Sequence, residues 1–213
     1  MLFRSALTLI DSATNSYTNE NVAEIKVIGD VKGYAEVGSG NSVKRYVTIA
    51  SEADATTGAK TVTAHRVYLA INSKTLRPFN NGVGFKAIFA ADEVVASQVT
   101  YGVELSGYET FKDADGNAAI WKASFDEMEP GAQTNIPNQK TIVIYDAISA
   151  ADTSRWNANM YGRPFITING ETYYGKTVDV NMKAMAAEAL ASGDAAVIAA
   201  VNEMMTKCGV SAN

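Results

Sequence analysis

Between Thr61 and Leu105 the chain changes side with a period of two. In Thr61–Ile71 one side carries Thr61, Thr63, His65, Val67, Leu69 and Ile71, the other Val62, Ala64, Arg66, Tyr68 and Ala70. A second run sets Val83, Phe85, Ala87 and Phe89 against Gly84, Lys86, Ile88 and Ala90. A third sets Val99, Tyr101, Val103 and Leu105 against Gln98, Thr100, Gly102 and Glu104. Successive side chains of an extended backbone point to opposite faces. Such alternation, rich in β-branched and aromatic residues and cut by Pro78 and Asn80-Asn81-Gly82, predicts half-buried antiparallel strands.

The same texture predicts strands at Glu24–Ile28, Val31–Val37, Val43–Ala50 and Lys140–Ile148. It also predicts a hairpin over residues 108–125 turning at Asp113–Asn117, with polar loops at 51–58 and 126–138. The sharpest turn signal is Asn169-Gly170, which supplies the two φ > 0 positions of a type I′ turn between Phe165–Asn169 and Glu171–Val180. Strands do not alternate with helices here, which argues against a parallel α/β fold.

After Val180 the texture turns Ala- and Met-rich. Two short helices are expected to meet at Ser192-Gly193-Asp194, with Gly193 stopping the first and Asp194 capping the second. In the second, Val197, Val201, Met204 and Cys208 form one apolar stripe, ended by Gly209. The expected fold is mainly β: an antiparallel β-sandwich with extra N-terminal strands and a C-terminal helical pair. The expected divisions are a flexible or artefactual start at 1–20, N-terminal strands at 21–58, the sandwich at 59–180 and the helical tail at 181–213. The N-terminal strands belong either to the sandwich or to a preceding module.

With 213 residues, 47% of them hydrophobic, the chain can bury a substantial core. A net charge of −5 and 18 Lys+Arg without a basic run argue against nucleic acid and against polybasic membrane docking. No stretch approaches the roughly 20 apolar residues of a spanning helix, so membrane insertion is not expected. The single cysteine rules out an intrachain disulfide. Leu2-Phe3-Arg4-Ser5 resembles the translated end of a sequencing adaptor. That implies a native start upstream of Met1 and makes the lack of a leader uninformative.

Candidate chemistry is sparse. His65, the sole histidine, alternates with Val67 and Leu69 on a strand without an evident partner and reads as structural. Cys208 lies in the helix stripe and reads as core. Asp113-Ala-Asp115-Gly116-Asn117 has calcium-loop colour, but an EF-hand starting at Asp113 needs Gly and Glu where Ala118 and Ser124 stand. Gly38-Ser39-Gly40 lacks the ending of a phosphate loop. Asp126, Glu127 and Glu129 cluster in a loop, and a glycosidase needs its acids on facing elements. No metal site or cofactor is expected.

One segment has binding character: Trp156 and Tyr161 interleave with Arg155, Asn157, Asn159 and Arg163. Aromatic faces beside amide and guanidinium donors suit a sugar or peptide. The preferred alternative is that these rings plug the end of the sandwich.

The runs Arg66–Ile71 (RVYLAI) and Gly82–Ala87 (GVGFKA), with the closing pattern Arg163–Gly175, resemble β-sandwich modules. Such modules, immunoglobulin- and fibronectin-III-like, occur in large secreted proteins of anaerobic gut-type Gram-positive bacteria. The resemblance covers roughly residues 43–180 and carries no functional residue across. It implies a non-catalytic structural or adhesive module outside a bacterial cell. Its implied partners are neighbouring modules of the same chain, with a glycan or a host or cell-surface protein beyond them. A carbohydrate-binding module using the Trp156–Tyr161 loop is the first alternative, and a hydrolase domain the second.

Overall fold

The structure, a computed structural model, describes residues 22–28, 33–37, 43–124, 127–128 and 139–211. Its first sheet contains β1 (Val22–Ile28), β2 (Tyr34–Val37), β3 (Lys44–Ala50), β4 (Ala59–Arg77), β5 (Gly82–Ala90), β8 (Glu127–Met128) and β9 (Lys140–Ala147). Its second contains β6 (Thr100–Ser106), β7 (Lys122–Ser124), β10 (Asn159–Ile168), β11 (Glu171–Tyr174) and β12 (Val178–Asn181). Among the described residues three α-helices accompany them: α1 (Glu93–Ala96), α2 (Met182–Leu190) and α3 (Ala195–Cys208).

Among the described residues every strand pairing is antiparallel. The first sheet runs β2-β3-β4-β5-β9-β8 with β1 also on β4, and the second β11-β10-β6-β7 with β12 also on β10. The organising strand is β4. At 19 residues it pairs with β3 over Val62–Val67, with β1 over Ala59–His65 and with β5 over Tyr68–Arg77, with an irregularity between Ile71 and Ser73. Its burial is not one-sided. Val62 and Ala64 are buried on one face, and His65, Val67 and Leu69 on the other.

The sheets meet face to face. Phe85 on β5 lies directly over Gly162 on β10, where a Cβ would fall 2.5 Å from the ring. Only a residue without a side chain lets the layers close to this distance. Alongside, Phe89 stacks on Tyr101 with centroids 3.8 Å apart. Phe85 and Phe89 are both fully buried, and each such ring stabilises the fold by roughly 1.5–3 kcal/mol through removal from water.

The two terminal helices close one end of this core. Met182, Ala186, Val201, Met204 and Cys208 join the cluster of Val83, Ile148, Trp156 and Met160. The sequence signals act locally as expected. Asp194 accepts from the backbone N–H groups of Ala196 and Val197, and Gly209 at φ 66 stops α3. Asn181 caps α2 by accepting from Ala184 N–H.

Several expectations need correction. Val197 is exposed rather than part of the buried stripe, because α3 rests on the core through Val201, Met204 and Cys208. The run Glu171–Val180 is not one strand. It breaks at Gly175-Lys176-Thr177, so β11 pairs with the C-terminal half of β10 and β12 with its N-terminal half. The turn at 113–117 forms, yet its flanks make only the single bridge Lys112–Ala118 instead of a hairpin. The short α1, capped by Asp92, was not expected. Residues 1–20 lie outside the described residues.

Candidate functional site

Period two along β10 puts Asn159, Tyr161 and Arg163 on one face, turned away from the core, and the loop before it carries Trp156 and Asn157. The five predicted residues do not converge. Trp156 turns inward and is only 4% exposed. Its indole N–H donates to the Ser211 carbonyl at 2.9 Å, and its own carbonyl accepts from Lys183 N–H at 3.1 Å. These bonds tie the loop to the start of α2 and to the chain beyond α3. The ring has no face left for a sugar, so the aromatic platform that includes Trp156 does not exist in this fold.

Asn157 and Asn159 remain at the surface and engage Asn181. The Asn181 side-chain amide donates to the Asn157 carbonyl at 2.9 Å and to Asn159 Oδ1 at 3.3 Å. The pocket bounded by Asn159, Met160, Met182, Trp121 and Arg155 holds only about 10 Å³, room for one water. Over it, Arg155 stacks on the Trp121 ring, its guanidinium carbon 4.2 Å from the centroid, and forms an ion pair with Asp146.

Arg163 is the centre of a polar cluster. It faces Glu104 across the β10–β6 ladder, and its Nε and Nη2 donate to Glu104 Oε2 at 2.9 and 2.8 Å. Phe111 covers one side of the guanidinium at 4.0 Å and Tyr174 the other at 3.6 Å. A guanidinium clamped between two rings and neutralised by a buried carboxylate is rigid and spent on internal contacts. Tyr161, half-buried, pairs across the ladder with Ser106. Of the two adjacent tyrosines, Tyr174 shares this outer face while Tyr173 stacks on Tyr34 at 4.5 Å.

His65 does have a partner, contrary to expectation. Its Nδ1 lies 2.6 Å from Asp92 Oδ2, while Asp92 Oδ1 accepts from Val95 N–H at 3.0 Å. Asp92 thus caps α1 and holds His65 together, pinning the β5–β6 connection against β4. Cys208 is buried, its S–H directed at the Ile148 carbonyl at 3.8 Å, and burial pushes its thiol pKa up. Asp113 folds its carboxylate onto the backbone N–H groups of Asp115 and Asn117, which hold its pKa below the usual range. Of the acidic loop, Asp126 and Glu129 lie outside the described residues. Glu127 is placed by its backbone alone, opposite Ile142.

Sequence reasoning missed Glu104, Phe111, Trp121, Asp146 and Asp92 as interacting groups. Glu104 stood in an alternating run that announced a strand but not its neighbour. Asp92 alone carried a usable signal, since Asp followed by Glu-Val-Val-Ala is an N-cap pattern. No protein family matches the chain, and neither a curated protein nor a solved structure matches it. Among the described residues no helix is long and apolar enough to cross a membrane.

Proposed function

We propose that this chain is a non-catalytic structural or adhesive module, an immunoglobulin/fibronectin-III-like sandwich held outside a bacterial cell as part of a larger protein. The observation carrying this reading is the commitment of its reactive side-chain types to scaffold contacts. His65 is bonded to Asp92, Cys208 is buried against Ile148, and Arg163 is clamped by Glu104 and two rings. Groups so engaged hold elements in place, and burial keeps His65 and Cys208 away from a substrate. The face-to-face antiparallel layers, with Trp156 locking the loop to the chain end, give the stiffness a spacer or display module needs.

The reading predicts that antibodies against this chain decorate intact cells of the organism that makes it, and that protease shaving removes the signal. It also predicts no turnover of chromogenic glycoside, ester or peptide substrates. Recovery of the protein solely from the cytosol, or turnover abolished by a single point substitution, would overturn it.

A further inference from the structure

A groove of about 440 Å³ opens where β3 begins beside β4. Its lining includes Lys44, Arg45, Arg66 and Lys176, and among the described residues no acidic one. The concentration of positive charge is local, because the chain as a whole carries −5. Three separate segments supply it: the start of β3, the middle of β4 and the link between β11 and β12. Arg45 is balanced by Glu36, its Nε 2.8 Å from Oε1. Arg66 and Lys176 have no acidic partner among the described residues. Arg66 and Lys176, brought together from distant positions, give this surface a standing positive potential.

Two further features define what fits. Tyr68, 36% exposed, presents its ring beside Arg66. The β3 ladder stops at Val67 while β4 runs on to Arg77. Beside Tyr68–Ile71, therefore, β4 has no strand neighbour on the β3 side among the described residues, and its backbone polar groups border the groove. An added peptide strand would use such an edge too. The stretch is short, however, and farther along Lys74 reaches across to Asp179 at 3.6 Å, bridging β4 and β12. The volume lies within the roughly 300–1,000 Å³ typical of small-molecule sites.

We propose that this groove binds an acidic saccharide, a short sugar bearing carboxylate or sulfate groups. Arg66 and Lys176 meet the anionic groups, the Arg66 fork suiting a planar carboxylate. Tyr68 packs against a sugar ring, and the β4 backbone answers hydroxyls. The site is separate from the Trp156–Tyr161 segment, and its operation does not depend on the protein's location or on its spacer role. Loss of groove binding would leave the module reading untouched.

Calorimetric titration of the whole chain tests this, with a hexuronic-acid trisaccharide in one arm and a sulfated disaccharide in another. The controls are a neutral trisaccharide, inorganic sulfate and poly-glutamate. Saturable binding of at least one acidic sugar is expected, weakening as salt rises. Which arm binds identifies the acid as carboxylate or sulfate. Lys176→Glu, on an exposed link, and Arg66→Glu should each weaken it about tenfold or more, as expected for a lost charge-assisted hydrogen bond. Lys176→Glu should leave the thermal midpoint unchanged, so the proposal stays testable even if Arg66→Glu disturbs β4. Absence of binding by both acidic sugars overturns the proposal. Equal binding of the neutral sugar, of inorganic sulfate or of poly-glutamate does so too, as does full affinity in a folded Lys176→Glu protein.

Discussion

The chain has two tryptophans, and the fold treats them oppositely. Trp156 is 4% exposed with its N–H bonded to Ser211, while Trp121 is 39% exposed with its face against Arg155. This difference is optical as well as structural. In Trp121→Phe protein, emission from Trp156 alone should be blue-shifted and poorly quenched by acrylamide. In Trp156→Phe protein, Trp121 should emit at longer wavelength and quench readily. The Trp156→Phe change removes the part-buried hydrogen bond from the indole to the Ser211 carbonyl, costing about 0.5–1.5 kcal/mol in urea denaturation. If Trp156 proves as quenchable as Trp121, the plug is wrong and the aromatic-platform reading revives. Binding character in the Trp156–Arg163 segment was legible from composition. Whether Trp156 faced in or out depended on the terminal helices, far away in the chain, and no local pattern encodes that.

Elements were legible wherever a local rule governs them. Asn169 and Gly170 adopt φ 52 and φ 79, as the type I′ turn requires, and Asp194 and Gly209 bound α3 where the capping signals stood. What escaped was contextual. The break at Gly175 arises because the chain must leave one half of β10 to reach the other, and a Cβ at Gly175 would sit 2.8 Å from the Pro164 ring. The docked face of α3 escaped as well, since Val197 fits the stripe by spacing but overhangs the edge near Leu76 and Phe79. Docking of α3 can be read from Cys208, which is 1% exposed and has a raised thiol pKa. Aromatic-disulfide labelling should be slow in native buffer and fast in denaturant. Met204→Ala, which empties a buried site at a cost of about 2–5 kcal/mol, should accelerate labelling at least tenfold by loosening the helix. Labelling of the unaltered protein at the rate of a free thiol would mean that α3 is not held on the core.

At the scale of the whole molecule, alternation announced the strands but was silent on how they assemble, because pairings such as β5 with β9 and β6 with β10 join residues far apart in sequence. One seam between the sheets is made by Tyr34 on β2 and Tyr173 on β11, whose rings stack at 4.5 Å and 20°. Each phenol donates to a carboxylate, Tyr34 to Glu36 at 3.1 Å and Tyr173 to Glu171. Burial, reinforced by the Glu36 charge, holds the Tyr34 pKa far above its ordinary value. Burial and then the Glu171 hydrogen bond push Tyr173 up to about 12. An unfolded tyrosine ionises near 10, so the folded state binds these protons more tightly than the unfolded one. Their contribution to stability is therefore complete below about pH 10 and is lost as pH rises through about 12 for Tyr173, with Tyr34 extending the loss to higher pH. The urea midpoint should fall across that alkaline window. The Tyr34→Phe/Tyr173→Phe protein, which has no phenols at the seam to ionise, should show a distinctly flatter fall. In an absorbance titration, the late-ionising fraction of the native protein's tyrosines should be smaller in the Tyr34→Phe/Tyr173→Phe protein. Equal alkaline slopes for the two proteins would show that the seam does not close the layers as the stacked rings imply.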